Sequence, residues 1–230
     1  MSILKMMVTL KDLNSEIIAC RRCPRLVEFR EKIAREKRKQ FLDWDYWGKA
    51  IPGYGSPQAR LLIVGLAPAA HGGNRTGRVF TGDKSADFLM DCLYDCGLAN
   101  QPTSLSRDDG LVLHQAYMTP VLKCVPPGDK PRPEELRHCA PYFQRELELL
   151  SDLKILLALG KIAFDAVLRQ YRQFYTFKMK DYPFTHYKFH TLPDGKTLVS
   201  SYHPSPRNVN TGRLTKSMLV TLLNEIKRLV

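Results

Sequence analysis

The chain has 230 residues and a net charge of +12, from 35 lysines and arginines against 23 aspartates and glutamates. This length suits one domain with a sizeable core, and the charge suits a polyanionic partner such as nucleic acid or an anionic membrane surface, although it serves solubility equally well. The longest apolar stretch, residues 61–70, is too short to cross a bilayer and contains a glycine and a proline, which excludes a membrane-spanning protein.

Six cysteines raise the question of the redox compartment. The first ten residues lack an apolar stretch followed by a small-residue cleavage site, so we expect a cytoplasmic protein with reduced thiols. Cysteines in such a protein favour a metal or cluster site over disulfides. Cys92 and Cys96 are an exception, because they lie four apart on an apolar helical face and are predicted to be core residues.

The chain begins with two predicted helices, at residues 9–19 and 26–38. The second carries a charged run that is usual for a solvated helix face, and a surface for a nucleic-acid backbone is the less favoured alternative. Short apolar runs typical of buried parallel strands then alternate with helical patterns. These elements are a strand at 60–66, a helix at 84–96 capped by Asp83, a strand at 117–123, a helix at 133–150, a strand at 154–159 and a helix at 161–171.

The last elements are a hairpin of residues 187–192 and 196–201 and an amphipathic helix at 213–229. The alternation of strands and helices predicts an α/β fold, a single-domain α/β/α sandwich around a central, mainly parallel sheet. In such folds ligands bind beyond the carboxyl ends of the strands. Three unusual loops follow strands and are therefore predicted to form the binding site: residues 67–83, 125–132 and 203–212.

Four of the cysteines have a spacing suited to one metal centre. Cys20 and Cys23 form a C-x2-C pair, and Cys124 and Cys139 could complete a four-thiolate site from a distant segment. Spacing alone does not separate zinc from a four-iron cluster, because both accept four thiolates. Scattered buried cysteines are the structural alternative.

The loop after the first strand is rich in glycine, with five glycines between Gly65 and Asp83. Such backbone lets N–H groups approach a ligand closely. Gly72 and Gly77 have phosphate-loop spacing, but Arg78 and Val79 follow where lysine and serine or threonine belong, which disfavours an NTPase. Phe80 serves no helical or strand pattern, so it is either a stacking platform for a base or a plug in the core beneath the loop.

The last loop begins with His203 directly after a buried strand. A lone histidine is more often structural than catalytic. Here two prolines hold the loop, and Arg207, Asn208 and Asn210 offer hydrogen-bond donors suited to phosphates or base edges. The loop therefore favours a functional histidine.

Several motifs together carry a family resemblance. They are Gly65-Leu-Ala-Pro-Ala69, Asn74-Arg-Thr-Gly-Arg78, Phe80-Thr-Gly-Asp83, His203-Pro-Ser-Pro206 and the four cysteines. Over nearly the whole chain, from about Cys20 to the final helix, the sequence resembles family 5 uracil-DNA glycosylases of archaea and bacteria. Family 4 members carry a glutamate in the first loop, where this chain has Leu66 and Ala67. The sequence also departs from many family 5 members in having Asp129 where they have asparagine.

The resemblance implies one uracil-DNA-glycosylase-like domain over residues 1–230, with about four parallel strands. It also implies a 4Fe-4S cluster held by Cys20, Cys23, Cys124 and Cys139. The implied activity is removal of uracil, and of other deaminated bases such as hypoxanthine, from DNA in base excision repair. The expected enzyme is a monomer that works at the nucleoid and hydrolyses the bond without cutting the strand.

Site roles follow from this activity. His203 is expected to donate a hydrogen bond to O2 of the leaving base, and Asn74 or Asp129 to position water, ahead of His71 and of Asp83, which has a good structural role as a helix cap. The residues expected to bind the base are Gly65, Leu66, Ala67, Phe80 and His71. The residues expected to bind DNA are Arg75, Arg207, Asn208 and Arg213.

Two other functions remain open. A non-enzymatic module could use a cluster and its charge only to hold nucleic acid, and a hydrolase of small nucleotides could use the same loops. Release of free base from a uracil-containing oligonucleotide distinguishes the glycosylase from both.

Overall fold

A six-stranded sheet forms the centre of the molecule in the computed structural model, which describes residues 8–230. In chain order its strands are β1 Tyr54–Gly55, β2 Leu61–Gly65, β3 Ala116–Pro120, β4 Ile155–Leu159, β5 Lys188–Thr191 and β6 Thr197–Ser201. Their order across the sheet is β1-β3-β2-β4-β6-β5. The four inner strands are mutually parallel, and β1 and β5 pair antiparallel at the two edges. The predicted α/β fold with about four parallel strands is confirmed, and β1 is an addition to it.

The helices agree closely with those predicted. They are α1 Leu10–Ile18, α2 Pro24–Glu36, α3 Gly73–Thr76, α4 Lys84–Asp95, α5 Pro133–Leu149, α6 Lys161–Tyr171, α7 Pro206–Asn210 and α8 Lys216–Leu229. The short helices α3 and α7 lie inside two of the three loops that the sequence singled out, where no helix was predicted. Short 3-10 turns occur at Lys39–Phe41, Pro127–Asp129 and Met179–Asp181.

Local signals explain where the main elements begin and end. The Asp83 carboxylate accepts from the N–H groups of Ser85 and Ala86 and caps α4, as predicted. β3 ends at Pro120, three residues before the predicted end of the strand. The chain beyond it nevertheless stays beside β2, because the N–H of Val121 donates to the carbonyl of Gly65 at 3.0 Å.

The core has a layer on each face of the sheet because successive strand residues point to opposite faces. Leu61 and Ile63 of β2 pack in the cluster that α4 and α8 cover, and Leu62 and Val64 pack in the cluster that α5 and α6 cover. A third apolar cluster joins α1 and α2 to Cys124 and Cys139. None of the helices within residues 8–230 is long and apolar enough to cross a membrane.

Candidate functional site

The carboxyl end of β2 forms one part of the candidate site. Gly65 ends this strand, and a Cβ at Gly65 would lie only 2.6 Å from Cζ of Phe80. The phenyl ring therefore rests directly on the strand end, where only glycine leaves room for it. Phe80 has φ of +48°, in a region that non-glycine residues rarely adopt, and it is half-buried. The ring also packs against the apolar cluster on the α4 and α8 face of the sheet, so both predicted roles of Phe80, stacking platform and core plug, stay open.

The carboxyl ends of β4 and β6 form the second part of the candidate site. Gly160 follows β4 with φ of +91°, and a Cβ there would lie 3.2 Å from Cβ of His203, the second residue after β6. Burial lowers the pKa of His203, and the nearby carboxylate of Asp129 opposes that shift. The structure thus brings together His203 and Asp129, two residues that the sequence proposed for catalysis, from loops that follow different strands. Burial also makes the neutral imidazole the favoured form at neutral pH.

The loop of His203 is braced from within. Asn208 in α7 donates from Nδ2 to the carbonyl oxygen of His203 at 2.8 Å. One N–H of this amide is therefore engaged inside the protein, and the DNA contact of half-buried Asn208 stays a prediction. Arg207 is exposed, and the guanidinium of exposed Arg213 lies 4.5 Å from the ring centroid of Tyr202. Both arginines therefore remain accessible to a ligand at this edge.

Arg75 has a different role from the predicted contact with DNA. It is only 4% exposed, and its guanidinium lies 3.9 Å from the ring centroids of both Phe41 and Trp44. Its Nε and Nη2 donate to the carbonyls of His71 and Gly82. Arg75 therefore holds the glycine-rich loop together, and its burial leaves little of the guanidinium open to a phosphate.

Asn74 is also buried rather than open to a ligand. It is 0% exposed, and its Nδ2 donates to the carbonyl oxygen of Arg30 in α2 at 3.1 Å. Its Oδ1 is buried and has no hydrogen-bond partner among residues 8–230, so the role of Asn74 in positioning water stays a prediction. Asp129 is exposed, with φ of +56°, and its role in positioning water stays a prediction.

The remaining predicted residues lie around the same loop. Leu66 and Ala67 follow β2 and are half-buried, as is His71. Nδ1 of His71 lies 3.0 Å from the hydroxyl of Tyr46, and burial together with the positive charges of Arg38 and Arg75 lowers its pKa. His71 is therefore neutral at neutral pH.

The four cysteines of the predicted metal site line one small cavity. Cys20 lies in the turn before α2, and Cys23 directly precedes that helix. Cys124 lies between β3 and α5, and Cys139 lies within α5. Burial raises the pKa of Cys124 to about 11 and that of Cys139 to about 12, so these sulfurs ionise at neutral pH only beside a positive centre. Within residues 8–230, no three His, Cys, Asp or Glu side chains are arranged to hold a single metal ion.

Two buried cations adjoin the cysteines. Arg30 donates from Nη1 to Sγ of Cys124 at 3.0 Å and from Nη2 to the carbonyl of Cys20 at 2.9 Å. Lys123 instead pairs with Glu146 at 2.8 Å. Arg30 was not among the predicted site residues, although its spacing from Leu26 and Val27 places it on the inner face of α2.

Three similarities place the chain among known proteins. Residues 52–227 match the family model described as the Uracil DNA glycosylase superfamily. A type-5 uracil-DNA glycosylase of Thermus thermophilus is 46% identical over 213 residues, which cover 93% of this chain and 94% of that protein. Type-5 uracil-DNA glycosylases of Mycobacterium leprae and Pyrobaculum aerophilum are 45% and 42% identical, over 96% and 92% of this chain and 96% and 89% of their own lengths.

Proposed function

The chain belongs to the uracil DNA glycosylase superfamily, within its type-5 group, and from this we propose that it hydrolyses the bond between uracil and deoxyribose in DNA. The predicted resemblance to family 5 is confirmed by the type-5 relatives. The product is an abasic site in an uncut strand, the first intermediate of base excision repair. The observation that carries this proposal is the half-buried His203 at the end of β6, which packs against Gly160 at the end of β4 and whose pKa is lowered.

Base recognition begins with extrusion of the damaged nucleotide, because its glycosidic bond cannot be reached inside a duplex. Phe80 offers its ring at the end of β2 to the extruded base, and stacking of this kind is typically worth about 1–3 kcal/mol. The half-buried segment of Leu66 and Ala67 lines the same strand end. We propose that other deaminated bases such as hypoxanthine enter by the same route.

His203 acts on the leaving base. As the bond from C1′ to N1 breaks, negative charge grows on the base and positive charge on the sugar. A neutral imidazole that donates an N–H to O2 stabilises the first of these charges best in a site from which water is excluded. Asn208 fixes the backbone of His203, so the ring approaches the base without reorganisation.

Water completes the reaction at C1′. Asp129 is exposed in the loop after β3 and close enough to His203 to influence its pKa, so its carboxylate can orient a water molecule near the sugar. The anion also favours the positive charge that develops on the sugar in the transition state. The reaction needs no amine nucleophile, which agrees with hydrolysis without strand cleavage.

DNA binding uses the positive surface around these loops. Exposed Arg207 in α7 is proposed to support the gap that the extruded nucleotide leaves, and Arg213 to contact a phosphate. The net charge of +12 adds attraction to the DNA backbone. We propose that the enzyme works in this way as a monomer in the cytoplasm, at the nucleoid.

The cysteine cavity is proposed to hold a 4Fe-4S cluster. Four thiols on one cavity match the four ligands that such a cluster needs, and the buried guanidinium of Arg30 suits the negative charge of thiolate ligands. Bound there by Cys20, Cys23, Cys124 and Cys139, the cluster would supply a crosslink between two distant segments rather than a step of hydrolysis.

The test of the activity measures free base released from single-stranded and paired oligonucleotides that contain uracil, hypoxanthine or no damage. His203→Ala should slow single-turnover release of uracil by roughly a hundredfold or more, the usual effect of losing one such donor, while DNA affinity changes little. His114→Ala, an exposed histidine before β3, is the matched control and should keep the parental rate. Binding without release would refute the glycosylase, and release only from mononucleotides would reassign the substrate.

A further inference from the structure

Arg30 is a buried cation whose charge is not offset by a carboxylate. It is 1% exposed, and it forms no salt bridge among residues 8–230. Burial of an unpaired charge costs several kcal/mol, so such a guanidinium requires an anionic partner. The group that its Nη1 contacts is the sulfur of Cys124, at 3.0 Å.

Lys123 shows by contrast how the same region treats an ordinary buried cation. Its ammonium lies 2.8 Å from the carboxylate of Glu146, and the hydroxyl of Thr119 completes the arrangement. The positive charge of Lys123 is therefore neutralised by Glu146 and not by a cysteine sulfur. Arg22 and His138 also line the cavity on the side of Cys23, and Arg30 is the buried cation in contact with the Cys124 sulfur.

The backbone of Arg30 faces the glycine-rich loop. Its carbonyl oxygen accepts from Nδ2 of buried Asn74 in α3, and the carbonyl of Asn74 accepts from the N–H of Gly48. α3 lies between Gly65 and Phe80 in the sequence, in the loop that carries the stacking ring. Two hydrogen bonds, both through Arg30, thus connect the Cys124 sulfur with the loop of the base pocket.

We propose that Arg30 is a positioning residue that joins the cysteine site to the base-pocket loop. Its guanidinium stabilises the Cys124 thiolate as a cluster ligand, and its carbonyl holds α3 in place through Asn74. A cluster that pins Cys20, Cys23 and Cys124 consequently fixes α2, and with it the loop of Phe80. This role rests on the proposed cluster, so its test reads the cluster and the loop separately from activity.

The first measurement is the midpoint potential of the cluster in the anaerobically purified protein. Hydrogen bonds and positive charge at a ligand sulfur favour the reduced state. Arg30→Met should therefore lower the potential by about 59 mV, which is a tenfold change in the ratio of reduced to oxidised cluster for a one-electron couple. Arg30→Lys, which keeps the charge, should restore part of the shift. Arg35→Met removes an exposed arginine from the same helix and should leave the potential unchanged.

The second measurement uses the parental protein, in case Arg30 variants fail to fold or to keep iron. Amide exchange of Arg75, Thr76 and Gly77, whose N–H groups close the turn of α3, is compared before and after chelation of the cluster. These amides should exchange at least tenfold faster without the cluster, while amides of the β5–β6 hairpin keep their rates.

The outcomes separate the two proposals. A parental protein without iron and acid-labile sulfide would overturn the cluster and this role with it. Iron present, with equal potentials in Arg30→Met and Arg35→Met, would overturn the role of Arg30 alone. Unchanged exchange in α3 after complete loss of the cluster would overturn the connection to the loop.

Discussion

At the scale of single residues, two glycines decide where the reactive side chains lie. Gly65 leaves room for the ring of Phe80 and Gly160 leaves room for His203, at the ends of adjacent strands β2 and β4. The sequence marks Phe80 and His203 as unusual, but the side chain missing at position 160 is equally part of the site.

Gly160→Ala tests this arrangement. The new methyl group would lie 3.2 Å from Cβ of His203 and should displace the ring, so we expect at least a tenfold loss of single-turnover uracil release. The backbone, with φ of +91°, should also become strained at a cost of about 1–3 kcal/mol.

Gly195→Ala is the matched control, since Gly195 has φ of +85° but nothing within 4 Å of its added Cβ. Chemical denaturation should show that Gly195→Ala is less stable than the parental protein, while its rate of uracil release stays the same. Equal rates in the two variants would show that Gly160 does not position His203.

Asp129→Asn tests the electrostatic pairing with His203. The carboxylate favours the imidazolium and so raises the pKa that burial lowers; its loss should lower the pKa of His203 further. Neutral His203 should then persist to lower pH than in the parental enzyme. The measurement is an NMR titration of the ring nitrogens of His203. A pKa that rises or stays constant in Asp129→Asn would show that the carboxylate of Asp129 does not interact with His203.

At the scale of elements, the cysteine cavity joins parts of the chain that are a hundred residues apart. α2 follows Cys23, whereas Cys124 lies in the segment that links β3 to α5 and Cys139 lies within α5. The apolar cluster around them is the smallest of the three, so a bound group would contribute much of the cohesion in this corner.

Cys139→Ala is expected to reduce solubility or thermal stability more than chemistry, because loss of a cluster ligand removes a crosslink between these elements. Cys92→Ala, in the α4 core, serves as the control for the loss of a buried thiol. Thermal unfolding of both proteins, with iron analysis, makes the comparison. A Cys139→Ala protein as heat-stable as Cys92→Ala would remove Cys139 from the ligand set.

At the scale of the whole molecule, the net charge of +12 and the exposed arginines are proposed to hold the DNA. Arg207→Ala should reduce release from paired substrates several-fold more than from single strands, because a gap-supporting side chain matters most where a base stack is opened. Arg169→Ala removes the same charge from an exposed position on α6 and should affect both substrates alike. The ratio of the two rates, at fixed salt, is the measurement, and an unchanged ratio would reject this role of Arg207.

The order of the elements and the loops that follow the strands could be predicted from the sequence alone. Buried strands, capped helices and glycine-rich turns are set by nearby residues, so β2, α4 and α6 could be predicted almost to the residue. The same reasoning identified His203 and Phe80 because each breaks the pattern around it. The family followed from motifs whose order along the chain is specific.

Which polar side chains are open to a ligand and which bind to the protein itself depends on the three-dimensional packing. Asn74, Arg75 and Asn208 have the composition of a binding surface, yet each is engaged by the backbone of a packed neighbour. Arg30 looked like one more charge on a solvated helix and is buried against a sulfur 94 residues away. Burial and partners of this kind depend on contacts between distant segments, and local spacing does not encode them.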